Sequence, residues 1–153
     1  MNLRFLPLWL RGVARVFRAW LMAPLVAAFV EVGLRTGTLP ELAERIGLVL
    51  DLTSGTLPPP GHRPVLPARS RSDVEAATWV VAHWPAGATC LRRCLVLGQR
   101  LRHLAPVLKI GVRRLESGGL GAHSWLEIGG LSLDPDVSMF ATMTGAGEPE
   151  ENR

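Results

Sequence analysis

Between Pro85 and Pro106 the chain carries a segment whose periodicity leaves little freedom. Cys94, Leu97, Leu101 and Leu104 recur three or four residues apart, Leu91 and Leu95 widen the stripe, and Arg92, Arg93, Gln99, Arg100, Arg102 and His103 take the other faces. This pattern predicts an amphipathic helix from about Thr89 to Leu104, stopped by Pro106. The period then changes. Leu108, Ile110 and Val112 alternate with Lys109, Gly111 and Arg113, the signature of a half-buried strand, and Glu116-Ser-Gly-Gly turns the chain. Ala122 to Ile128 reads as a second strand, Gly129-Gly130 as a two-residue hairpin turn, and Leu131 to Asp134 as the returning strand. One helix followed by hairpin-linked strands constrains this half to an α+β arrangement with a small antiparallel sheet of three to four strands.

The preceding half reads as helical. Arg4, Arg11, Arg15 and Arg18 lead into an apolar run from Ala19 to Val30, broken by Pro24 and closed by Glu31. That run is shorter than the roughly 20 residues that span a bilayer, and no small-x-small cleavage site follows it. Leu6, Leu10, Val13, Phe17 and Leu21 recur at helical spacing with arginines between them, which favours a packed or interfacial amphipathic helix over a signal peptide. A break at Thr36-Gly37-Thr38-Leu39-Pro40 precedes a second short helix from about Glu41 to Leu50, with Thr36 or Thr38 as cap. Ser54 to Arg71 holds five prolines and two glycines and reads as a linker or surface arm. A helix from about Ser72 to His83 follows, with Ser72 and Glu75 at capping-box spacing.

Composition narrows the function classes. Hydrophobic residues make up 48% of the chain and the formal charge is +4, nearly all of it arginine, with Lys109 the only lysine. The arginines lack the interleaved aromatics of a nucleic-acid module, so no nucleic-acid partner is expected. The only cysteines, Cys90 and Cys94, stand one helical turn apart, where a disulfide would be strained, so reduced thiols in a cytoplasmic setting are expected. Cys90, Cys94 and His123 supply no fourth ligand for a zinc site, and no metal or cofactor is expected.

The order of the reactive residues carries the chemistry. Cys90 opens the helix, where unsatisfied N–H groups and the helix dipole favour a thiolate and offer oxyanion donors. A histidine on a neighbouring strand completes such a pair and protonates the leaving group. With a strict two-residue turn at Gly129-Gly130, residues 123, 125, 134 and 136 share one sheet face. Asp134 is then the diagonal neighbour of His123, and Asp136 is the alternative if the strand runs on past Pro135. Cys94, on the apolar stripe, reads as core; His62, His83 and His103 read as surface residues. Glu127 reads as solvated or salt-bridged, and Trp125 as core or cleft wall. Arg93 could hold a carboxylate of the protein or of a substrate.

Cys90-Leu-Arg-Arg93-Cys-Leu, Ile110-Gly-Val-Arg113, Ala122-His123-Ser-Trp125-Leu-Glu127 and Asp134-Pro together resemble the transglutaminase-like peptidases of lasso-peptide biosynthesis in their stand-alone form. The likeness covers about residues 85–140. It implies a papain/transglutaminase-like fold with the peptidase core over 72–144; the reading of the residues adds a helical region over 1–52, a proline-rich linker or arm over 53–71 and a disordered tail over 145–153. By position it implies Cys90 as nucleophile, His123 as general base and acid, and Asp134 as the group orienting the imidazole, with Trp125 and Arg93 as candidate substrate-binding residues. The implied substrate is a ribosomally made precursor peptide, whose leader is presented by a separate leader-binding partner protein before a lasso cyclase closes the ring. Another transglutaminase-like amide hydrolase or acyltransferase, and a non-catalytic precursor-binding scaffold, are the competing readings. Peripheral membrane contact through residues 1–34 is a further expectation.

Overall fold

Five consecutive residues, Cys94 to Gly98, are buried on the helix that follows Pro85. In the computed structural model, which describes residues 8–52, 58–59, 61–114, 119–134, 137 and 141–142, the other elements collect around this helix. In chain order they are α1 (Leu8–Thr36), α2 (Leu39–Arg45), β1 (Val49–Asp51), α3 (Arg71–Ala82), α4 (Cys90–Arg100), β2 (Val107–Arg114), β3 (Leu120–Ile128), β4 (Leu131–Ser132) and β5 (Ala141–Thr142). Helix α4 packs on α3, α1 and β3, and its Leu95, Val96 and Leu97 share one core with Ala76, Ala77 and Val81 of α3 and Leu108 and Leu126 of the sheet. The architecture is α+β, as expected. Leu6, the turn at 116–118, Asp136 and the tail from residue 145 lie outside the described residues.

The sheet runs β1-β2-β3-β4, with β5 also paired to β2. Its antiparallel part follows the expected plan. Gly129 and Gly130 have φ of 59° and 76°, the left-handed pair that a type I′ turn demands, and the register that results pairs Ile128 with Leu131 and Glu127 with Ser132. The edge differs from expectation: β1 lies parallel to β2, with Val49 opposite Val107 and Asp51 opposite Lys109, so the sheet is mixed. A parallel neighbour requires a long crossover, and α3 and α4 supply it.

The strand exists because α2 stops early. Rather than running to Leu50, it ends at Arg45, where Gly47 takes a left-handed φ of 70°. Gly47 N donates to Glu44 O and Leu48 N to Ala43 O, a Schellman closure that turns the chain out of the helix and frees Val49–Asp51 to pair. At the other end Thr38 is the cap residue, and its N–H donates to Glu41. The expected cap of α3 is displaced. A 3₁₀ turn, Ala68–Ser70, leads directly into the helix at Arg71, so Ser72 sits inside it, and the Ser70 hydroxyl meets His103 Nε2 at 3.3 Å.

Helix α1 departs most from its sequence pattern. It runs 29 residues through Pro24 without a break. The residues it buries are Ala19, Ala23, Ala27 and Val30, whereas Val13, Phe17 and Leu21 of the expected inward stripe are at least half exposed. Both faces are apolar, so periodicity alone does not choose between them, and small side chains allow the closer approach to α3 and α4. By length and composition, Trp9–Thr36 would be long and apolar enough to cross a membrane.

Because Leu95 is fully buried at the centre of this arrangement, Leu95→Ala is expected to cost about 2–5 kcal/mol of unfolding free energy. Urea denaturation followed by circular dichroism measures it, and a change below 1 kcal/mol, about the scale of a surface substitution, would contradict the placement.

Candidate active site

Thr89 takes an extended conformation and its Oγ1 accepts from Arg92 N at 3.3 Å, so the helix begins at Cys90. Cys90 is a half-buried free thiol at the first helical position. The start of α4 is anchored from outside. The Arg92 guanidinium donates to Glu31 of α1 at 2.8 Å, and that hydrogen bond, with a second of 2.8 Å from Arg35, holds the Glu31 carboxyl below its ordinary pKa. At the other end Arg100 pairs with Asp73 of α3.

Strand β3 passes the start of this helix. Cys94 points into its edge and donates to Ser124 O at 3.2 Å; burial pushes this thiol up to about 12, so it stays protonated. On the adjacent position of β3, His123 stands opposite Gly111, so no β2 side chain crowds the imidazole from directly across the ladder. Asp134 follows the β3–β4 hairpin and its Oδ2 lies 2.9 Å from His123 Nε2, with both side chains a little over one-fifth exposed. The backbone N–H of Asp134 donates to Ser132 Oγ at 3.0 Å and fixes the approach of the carboxylate. The competing carboxylate, Asp136, lies outside the described residues.

Cys90, His123 and Asp134 line one cleft, with Arg93, Leu97 and Trp125 among its other walls. The structure therefore brings together all five residues singled out from the sequence. Trp125 is both core and wall: it is 1% exposed and its ring runs nearly parallel to that of His123, with centroids 6.4 Å apart. Arg93 is exposed at the rim and has no ion pair among the described residues. His62, His83 and His103 are exposed, and His83 stacks on Trp79. Among the described residues no group of three or more His, Cys, Asp or Glu side chains is placed to hold a metal ion.

Sequence reasoning missed the support beneath Trp125. Its indole N–H donates to Glu127 at 2.9 Å, and Lys109 Nζ lies 3.9 Å from Glu127 and 3.2 Å from Asp51 of β1. Glu127 is salt-bridged and buried, not solvated. The available signal was Lys109 itself, a lone lysine in a strand beside a His-x-Trp-x-Glu run. Its partner Asp51 was hidden because β1 was not anticipated.

The chain belongs to the transglutaminase-like superfamily: a family model described as "Transglutaminase-like superfamily" matches residues 33–144, from the last turn of α1 past β5. No curated protein and no solved structure matches the chain. Membership places it among proteins of cysteine peptidase and acyltransferase type.

The two thiols should separate cleanly. Iodoacetamide near neutral pH is expected to modify Cys90 alone in the folded protein and both cysteines after unfolding, as read by mass spectrometry. Labelling of Cys94 in the folded state would contradict its burial. Lys109→Met leaves Glu127 buried without its cation and is expected to cost about 3–5 kcal/mol, measured by denaturation. Adding Glu127→Gln should recover much of that loss.

Proposed function

We propose that this member of the transglutaminase-like superfamily is a cysteine peptidase that removes the leader from a ribosomally made lasso-peptide precursor, using Cys90, His123 and Asp134. The observation that carries the reading is the His123–Asp134 hydrogen bond of 2.9 Å in the same cleft as the helix-opening Cys90. With Asp134 on Nε2, Nδ1 would exchange the proton with the thiol, and the carboxylate would hold the ring in one tautomer.

In the proposed reaction the Cys90 thiolate attacks the carbonyl carbon of the scissile peptide bond. The developing oxyanion would be met by the N–H groups of Cys90 and Leu91, which lack intrahelical acceptors by helix geometry, the Arg92 N–H being taken by Thr89. His123 gives its proton to the departing amine as the C–N bond breaks, leaving an acyl-enzyme thioester. Water then attacks the thioester, His123 takes a proton from it, and the acid product leaves as the thiolate re-forms. Were an amine to take the place of that water, the same thioester would give acyl transfer.

The leader-peptidase reading rests on the joint presence of Cys90-Leu-x-Arg93, Ile110-Gly-Val-Arg113 and His123-x-Trp125-x-Glu127 in one fold. In this reading Arg93, exposed at the rim, would meet an acidic side chain of the substrate near the cut, and Trp125 would wall the subsite. A separate leader-binding protein would present the precursor, and a lasso cyclase would use the released core. The setting would be cytoplasmic.

The decisive assay is cleavage of a lasso precursor in the presence of the leader-binding protein, followed by mass spectrometry. Wild type should make a single leader–core cut, and Cys90→Ala should make none. Asp134→Asn should fold normally and lower kcat about 10²–10⁴-fold. Intact precursor with wild type, alongside thioester-dependent exchange of a small amine, would move the assignment to an acyltransferase.

A further inference from the structure

Helix α1 carries a surface that the cleft chemistry does not use. Opposite its buried alanines, Phe17, Leu21, Leu25, Phe29 and Val32 are each at least half exposed and follow one another at intervals of three or four residues. They form a continuous stripe about 22 Å long at the helical rise. Most of this helix precedes residues 33–144, the part matched to the superfamily. At the N-terminal end of the stripe, Arg15 and Arg18 line a groove together with Arg69, Arg100 and Arg102. The only carboxylate lining that groove among the described residues is Asp73, which Arg100 already engages.

A convex apolar stripe bordered by uncompensated guanidinium groups has the complementarity of an anionic lipid surface. Apolar side chains enter the acyl boundary, while arginines meet the phosphates. We propose that α1 lies in the plane of an anionic bilayer surface, with the Phe17–Val32 stripe inserted and Arg15, Arg18, Arg69 and Arg102 on lipid phosphates. The helix does not cross the bilayer, although its length and composition would allow it. Crossing would strip Ala19, Ala23, Ala27 and Val30 from the core and carry Glu31 away from Arg92. This inference is independent of the leader-peptidase reading.

The test is flotation of the chain with vesicles of phosphatidylcholine alone or mixed with phosphatidylglycerol. Binding should be about tenfold or more tighter to the anionic vesicles at low salt, with the gap closing as salt rises. Arg15→Gln with Arg18→Gln should remove most of that preference. Phe17→Ser with Leu25→Ser should weaken binding to both vesicles about tenfold or more, since two apolar side chains would no longer enter the acyl boundary, while the thermal midpoint stays unchanged. Folded wild type that binds neither vesicle, or binds both equally, overturns the proposal. So does a stable dimer in sedimentation that the Phe17→Ser, Leu25→Ser variant dissociates, because the stripe would then belong to a second copy.

Discussion

Helix α4 is buried through its middle and still begins at an open cleft, and most of the fold answers that double demand. Cys94 to Gly98 face protein on all sides, so α3, α1 and β3 each cover a part of the helix. Gly98 shows how close the cover is: a Cβ there would stand 2.8 Å from a methyl of Leu48, so a larger residue would force the Leu48 side chain, on the segment entering β1, to shift. With its middle enclosed, the helix is positioned at both ends by ion pairs to α1 and α3, and its first residue is left at the cleft.

Two thiols one turn apart acquire opposite characters from this geometry. Cys94 falls inside the enclosed stretch and serves the packing, donating to the β3 backbone. Cys90 falls before it, half-buried in the cleft that His123 and Asp134 also line. The difference is one of depth along a single helix.

Much of this was legible in the residues because it is local. The α4 stripe, the Gly129-Gly130 turn and the sharing of a face by His123, Trp125 and Asp134 all follow from periods of 3.6 and 2 over short stretches. What was not legible depends on distance or on competition between like surfaces. Strand β1 has three residues and pairs across a crossover containing two helices, so Val49-Leu50-Asp51 has no local mark as a strand. The inward face of α1 was misjudged because large apolar residues outnumber the alanines, yet the alanines fit the space against α3 and α4. Asp51 and Lys109 could be joined only once both strands were placed.

The burial of Lys109 has a consequence for any chemistry that runs through a thioester. Such an intermediate is open to capture by whatever amine reaches it, and a side-chain ammonium on the enzyme's own surface would be an ever-present competitor. Here the sole lysine is 4% exposed and held between two carboxylates within the sheet, and every other basic side chain outside the histidines is a guanidinium, far too weak a nucleophile to intervene. The folded chain thus offers no side-chain amine for self-acylation, and an acyl group at Cys90 would be left for water or an incoming acceptor.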